Sequence, residues 1–86
     1  MPASSEVALP ADVDLHARPA AQFVRTAVGF AADIAVCVGD REANAKSLLA
    51  VLALGARGGT ELVLRAEGDD AAGAVAALSG CVAALQ

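Results

Sequence analysis

The residue with the most distinctive chemistry is His16, the only histidine in the 86-residue chain. An unperturbed imidazole titrates near physiological pH, so its neutral form is available as a nucleophile. Arg18 follows two residues later, and its guanidinium can donate paired N–H groups to phosphate oxygens. The pair is therefore a candidate for binding or carrying a phosphate, within the segment Leu15-His16-Ala17-Arg18-Pro19-Ala20.

The position of His16 strengthens this interpretation. Apolar residues at helical spacing predict a helix from Ala17 to Val28, with Pro19 in its first turn. The first N–H groups of a helix lack intrahelical partners and attract anions. We therefore predict that the Ala17 amide and Arg18 stabilise a phosphoryl group on His16. A second interpretation stays open, because a lone histidine at a helix start is often a cap or an ordinary surface residue.

Composition argues against several other functions. The net charge is -4, and Phe23 and Phe30 are the only aromatic residues, which disfavours nucleic-acid binding. Cys37 and Cys81 lie far apart without metal-ligand spacing, so we expect two small apolar side chains, no metal site and no cofactor.

Hydropathy gives no sign of a membrane segment. The longest apolar run, Leu48–Leu54, is too short to span a bilayer, and the N-terminus lacks the pattern of a signal peptide. We therefore expect a cytoplasmic protein that does not insert into membranes.

Glycines and prolines divide the chain into seven short elements. Alternating strands and amphipathic helices predict an α+β fold of order βαββαβα in one domain, residues 1–86. Because each strand has one apolar face, we expect a four-stranded antiparallel sheet covered by helices on one side. The predicted strands are Glu6–Leu9, Ile34–Val38, Arg41–Ala43 and Thr60–Ala66. The predicted helices are Ala17–Val28, Ala45–Leu54 and Ala71–Leu85. The last helix is expected to have an N-cap in Gly68-Asp69-Asp70.

Three segments together resemble one known family. Leu15–Val24 is similar to the active-site segment of HPr, the histidine-containing phosphocarrier of the bacterial phosphoenolpyruvate-dependent sugar phosphotransferase system. Asn44–Leu49, with Leu54-Gly55 beyond it, resembles the second signature of the family. Gly59-Thr60-Glu61 together with Ala66–Ala71 resembles its last strand and helix entry, so the likeness covers essentially the whole chain. The resemblance implies an open-faced β-sandwich with three helices on one face of the sheet.

The resemblance also implies a function. His16 is expected to accept a phosphoryl group on Nδ1 from enzyme I and to donate it to IIA domains of sugar permeases, with Arg18 as its partner. Such a protein is a carrier, acts as a monomer and is not itself an enzyme. Two alternatives stay open: a regulatory HPr-like paralogue, which includes one in a nitrogen-linked phosphotransferase branch, and a small module that binds an anionic metabolite.

Two further positions matter in this comparison. Ser47 aligns with the family's regulatory serine, the target of an HPr kinase/phosphorylase in some bacteria, although Ser47 or Asn44 can equally serve as a helix N-cap. Asp14 stands where the family usually has glycine. Its carboxylate is expected close to the phosphate position, where it should repel the phosphorylated state.

A partner surface is predicted beside the histidine. Helical spacing lets Leu48 and Leu52 join the core and leaves Leu49 and Val51 without inward space, and an exposed apolar patch is typical of a docking surface. Because the resemblance places docking on the first helix and the short helix, the assigned residues are Arg25, Lys46, Leu48, Leu49 and Val51. A basic rim of Arg18, Arg25, Lys46 and Arg57 is expected to steer acidic partners, although Arg57 also fits an ordinary solvated charge.

Overall fold

The computed structural model describes all residues, 1–86. The predicted element order is confirmed. Four strands and three helices alternate as β1 Pro2–Ala8, α1 Ala17–Val28, β2 Asp33–Val38, β3 Arg41–Asn44, α2 Leu48–Ala53, β4 Glu61–Glu67 and α3 Ala71–Ala83. The strands form one antiparallel sheet in the order β1-β4-β2-β3. None of the helices is both long and apolar enough to cross a membrane.

The core lies between one face of the sheet and the helices. Leu64 of β4 stands opposite Val36 of β2, and directly opposed residues share a face, so both side chains point toward the helices. Phe23 of α1 and Leu78 of α3 are fully buried against this layer. Each such side chain contributes about 1.5–3 kcal/mol by leaving water.

The other face of the sheet is open. Arg65 of β4 crosses to Glu42 of β3, with Nη2 and Oε1 2.6 Å apart. The same guanidinium lies 3.1 Å from the Sγ of Cys37, and this contact, followed by Glu42, raises the pKa of Arg65. Both cysteines are free; Cys37 is buried as expected, whereas Cys81 is only half-buried.

Helix α2 begins three residues later than predicted. Asn44 Oδ1 accepts a hydrogen bond from the Lys46 N–H at 3.0 Å, which holds the chain in a turn before the helix. Ser47 Oγ then accepts from the Ala50 N–H at 3.3 Å, as an N-cap does. Ala45 is therefore outside the helix, because two local side-chain bonds compete with helix formation there.

Asp70 occupies the predicted N-cap position of α3 but does not cap it. Its carboxylate accepts instead from the N–H groups of Ala31 and Ala32, at 2.8 and 2.9 Å. The bond from Ala31, supported by that from Ala32, lowers the pKa of Asp70. The side chain thus ties the start of α3 to the loop between α1 and β2.

Candidate functional site

His16 stands at the N-cap position of α1 with extended backbone, φ -85° and ψ -167°. Its ring makes no capping hydrogen bond, and its side chain is 83% exposed. The imidazole is therefore open to a macromolecular partner rather than used to stabilise the helix.

Buried neighbours fix the backbone that carries this ring. Leu15 is 3% exposed, and its N–H donates to the carbonyl of Ala56 at 2.9 Å. On the other side, the His16 carbonyl accepts the first bond of α1 from the Ala20 N–H at 2.8 Å. Leu15 is thus buried and fixes the backbone, while the side chain of the next residue, His16, points to the surface.

The first turn of α1 offers unpaired donors directly after His16. The N–H groups of Ala17 and Arg18 have no acceptor within the chain, and Pro19 has no N–H. No acidic residue lies in this turn, and the exposed Arg18 forms no ion pair. Free amides and a free guanidinium at a helix start are suited to bind the oxygens of a phosphoryl group.

Asp14 places a carboxylate near the imidazole. Its Oδ1 accepts from the Gly58 N–H at 2.8 Å, and its Oδ2 lies 3.6 Å from His16 Nε2. Gly58 also packs closely against the backbone of the segment before Asp14, because a Cβ there would lie 2.2 Å from the Ala11 carbonyl oxygen. Two residues remote in sequence therefore meet at the site, Asp14 from the chain before α1 and Gly58 from the loop before β4.

The His16 ring lies at an open surface, with its side chain 83% exposed. A cavity of about 750 Å³ lies elsewhere, on the open face of the sheet, where its lining includes Ala35, Glu42 and Arg65 but not His16. An exposed ring of this kind is compatible with transfer between proteins.

The family model PTS-HPr, described as "PTS HPr component phosphorylation site", matches residues 3–84. The chain belongs to this HPr family. It is accordingly a phosphocarrier component of the phosphotransferase system rather than a catalytic enzyme, as the resemblance of the three sequence segments implied.

Known relatives agree with this assignment. The phosphocarrier protein HPr of Haemophilus influenzae is 40% identical over 96% of this chain and 98% of its own length. The multiphosphoryl transfer protein of Xanthomonas campestris is 49% identical over 66% of this chain, which matches only 7% of that longer protein. The crystal structure of HPr-C-His from Thermoanaerobacter tengcongensis superposes with a TM-score of 0.90 at 37% identity, covering 94% of this chain and 91% of that one.

Ser47, which the sequence resemblance aligned with a regulatory serine, is the N-cap of α2. Its half-buried hydroxyl accepts from the Ala50 N–H, so the cap interpretation is confirmed for Ser47. Asn44, the other candidate, caps no helix and bonds the Lys46 N–H instead. Regulation through Ser47 stays a prediction.

The apolar residues predicted for docking differ from the expectation in which are exposed and which are buried. Leu49 is 81% exposed and Leu48 40% exposed, and Val28 at the end of α1 is 55% exposed. Val51, by contrast, is completely buried, so its assignment to an exposed surface is wrong, as is the placement of Leu48 in the core. Val51 is the buried residue of this six-residue helix, whereas Leu48, at the first position of the helix, is partly exposed.

The predicted basic rim is also smaller than expected. Arg25 and Arg57 are exposed, but Lys46 is half-buried, and its Nζ donates to the Phe30 carbonyl at 2.8 Å. Lys46 therefore links the start of α2 to the end of α1 and is not a free surface charge. Sequence patterns did not indicate this role, because the acceptor is a backbone group 16 residues away.

Proposed function

We propose that His16 carries the phosphoryl group of this phosphocarrier. The observation that supports the proposal is an exposed imidazole at the start of α1, directly followed by two free amides and the unpaired Arg18. In the donor reaction, an imidazole nitrogen attacks the phosphorus, and the earlier bond to the phosphorus breaks. The amides and the guanidinium balance the charge on the phosphoryl oxygens.

The donor is enzyme I, itself charged by phosphoenolpyruvate, and the acceptors are IIA domains of sugar permeases. We take these partners from the family resemblance, together with a cytoplasmic location and a monomeric state. Because the site supplies only part of the charge stabilisation, each partner must complete it. This need is consistent with an exposed ring, which a partner protein can reach.

The docking surface in this proposal consists of exposed apolar residues at the end of α1 and the start of α2, namely Val28, Leu48 and Leu49. Arg25, which is exposed on α1, supplies positive charge at its edge. Apolar residues at the centre contribute affinity, while a rim charge mainly raises the association rate.

Mass spectrometry after incubation with enzyme I and phosphoenolpyruvate tests the assignment. We expect one acid-labile phosphoryl group on the wild type and none on His16→Ala. Ser47→Ala is the matched control, because it removes the other predicted phosphorylation residue and should still accept the label. Phosphorylation of His16→Ala at the wild-type level would contradict the proposal.

A further inference from the structure

We propose that Asp14 is a positioning residue for His16, setting which ring nitrogen is reactive and promoting release of the phosphoryl group. This inference depends on the proposed function, in which His16 is the phosphoryl carrier. It concerns a residue that departs from the family's usual glycine, so the effect belongs to this chain.

The carboxylate is held independently of the ring it faces. Its Oδ1 is bound to the backbone N–H of Gly58, 44 residues away, at 2.8 Å. The adjacent bond from the Leu15 N–H to the Ala56 carbonyl fixes the same stretch of chain. Oδ2 is left 3.6 Å from His16 Nε2, beyond hydrogen-bond length, so it acts on the ring through its charge.

This charge selects a tautomer of the free protein. A negative group beside Nε2 favours the proton on Nε2 and leaves the lone pair on Nδ1. Nδ1 is then the nucleophile that attacks phosphorus. The carboxylate thus favours Nδ1 as the phosphorylated atom, without touching the phosphoryl group.

The same charge assists the outgoing transfer. When the phosphoryl group leaves, the bond between phosphorus and Nδ1 breaks, its electron pair returns to Nδ1, and the acceptor nucleophile forms the new bond to phosphorus. With a proton on Nε2 the ring leaves as neutral imidazole, whereas without it the ring must leave as an imidazolate anion. Asp14 favours the protonated form and also repels the phosphoryl oxygens, and both effects promote departure.

Two variants separate charge from structure. Asp14→Asn keeps a carbonyl oxygen that can accept from the Gly58 N–H but removes the charge. Asp14→Gly removes both. Unchanged protection of the Leu15 amide from hydrogen exchange in Asp14→Asn shows that the loop is intact, because its bond to the Ala56 carbonyl does not involve the substituted side chain.

The first readout needs no partner protein. Nitrogen NMR of the unphosphorylated chain gives the ratio of the two imidazole tautomers, and we expect Asp14→Asn to reduce the Nε2–H form about twofold to fivefold. The second follows phosphate release from the isolated phosphorylated protein. We expect Asp14→Asn to hydrolyse about twofold to fivefold more slowly than the wild type, at the same pH and salt.

Both readouts must change in Asp14→Asn for the inference to stand. If either equals the wild type, or if only Asp14→Gly differs, Asp14 has a structural role and the inference is overturned. A wild type that is not phosphorylated on His16 contradicts the proposed function instead, and the tautomer ratio still distinguishes the two failures.

Discussion

The chemistry of the site depends on a small number of groups around one imidazole. Two free amides and Arg18 follow His16 in the chain, and the carboxylate of Asp14 lies 3.6 Å from its Nε2. Sequence alone could propose His16 and Arg18 as candidates, because an imidazole and a guanidinium two residues apart suit phosphate chemistry; their roles stay predictions. The anchoring of Asp14 could not be predicted from sequence, because its partner is the backbone of Gly58, 44 residues away.

At this scale the first prediction concerns Arg18. We expect Arg18→Ala to slow phosphorylation by enzyme I about tenfold to a hundredfold, since a hydrogen bond to a charged group contributes about 1.5–3 kcal/mol. Arg18→Lys should lose less, because it keeps the charge but not the paired donors. Initial rates measure the effect. Thermal unfolding serves as the control and should not change, because Arg18 is exposed and unpaired.

The elements were predictable to different degrees. The bounds of α1 follow from its apolar spacing, with Pro19 in the first turn and Gly29 after the last residue. The start of α2 was misplaced because short-range bonds from Asn44 and Ser47 decide it, and these are not visible in hydropathy. The inward face was a separate error: Leu48 and Leu52 were placed in the core, whereas the fully buried residue of the helix is Val51.

The corrected face of α2 gives a second prediction. Val51→Ala should lower the free energy of unfolding by about 2 kcal/mol, because it opens space in the core. Leu49→Ala removes a larger but exposed side chain and should change stability by no more than about 0.5 kcal/mol. Denaturant titration compares the two. Equal losses would show that the inward face of α2 is assigned incorrectly.

A third prediction contrasts two glycines. A Cβ at Gly58 would lie 2.2 Å from the Ala11 carbonyl oxygen, so Gly58→Ala should be strongly destabilising and should displace Asp14. Gly80, within α3, has open space around the same position, so Gly80→Ala should stabilise by about 1 kcal/mol. Melting temperatures should therefore move in opposite directions. A stable Gly58→Ala would contradict the close packing of this loop.

At the scale of the molecule, hydrogen bonds from side chains to distant backbone groups connect the elements. The hydrophobic pattern predicts only which layer each element belongs to, not these hydrogen bonds. Layering was predictable, because alternating apolar residues in four strands require a single covered face. The links were not. Lys46 connects α2 to the end of α1, and Asp70 connects α3 to the loop before β2, each through backbone groups that carry no sequence signal.

The Asp70 link predicts an acid dependence of stability. Because the pKa of folded Asp70 is lowered, the carboxylate stabilises the fold above the pKa of the unfolded chain, about 3.9. This contribution is lost as pH falls through the lower folded value. We therefore expect Asp70→Asn to be less stable than the wild type at pH 7, with the difference shrinking below about pH 4.

Urea denaturation of both proteins at pH 7 and pH 3 measures this effect. Asp69→Asn is the matched control, since its neighbouring carboxylate is exposed and makes no such bonds. A difference between Asp70→Asn and the wild type that is the same at both pH values would contradict the assignment.

Two hydrogen bonds join the segment that carries His16 to the loop before β4. The Leu15 N–H donates to the Ala56 carbonyl, and the Gly58 N–H donates to the Asp14 carboxylate, so the two segments should open together in local unfolding. Amide hydrogen exchange at Leu15 and Gly58 should then proceed at similar rates, as in one cooperative unit. It follows that a substitution in residues 55–59 can loosen the surroundings of His16 from a distance. Loss of phosphoryl transfer after such a change would result from the loss of these hydrogen bonds, with the side chains of the site unchanged.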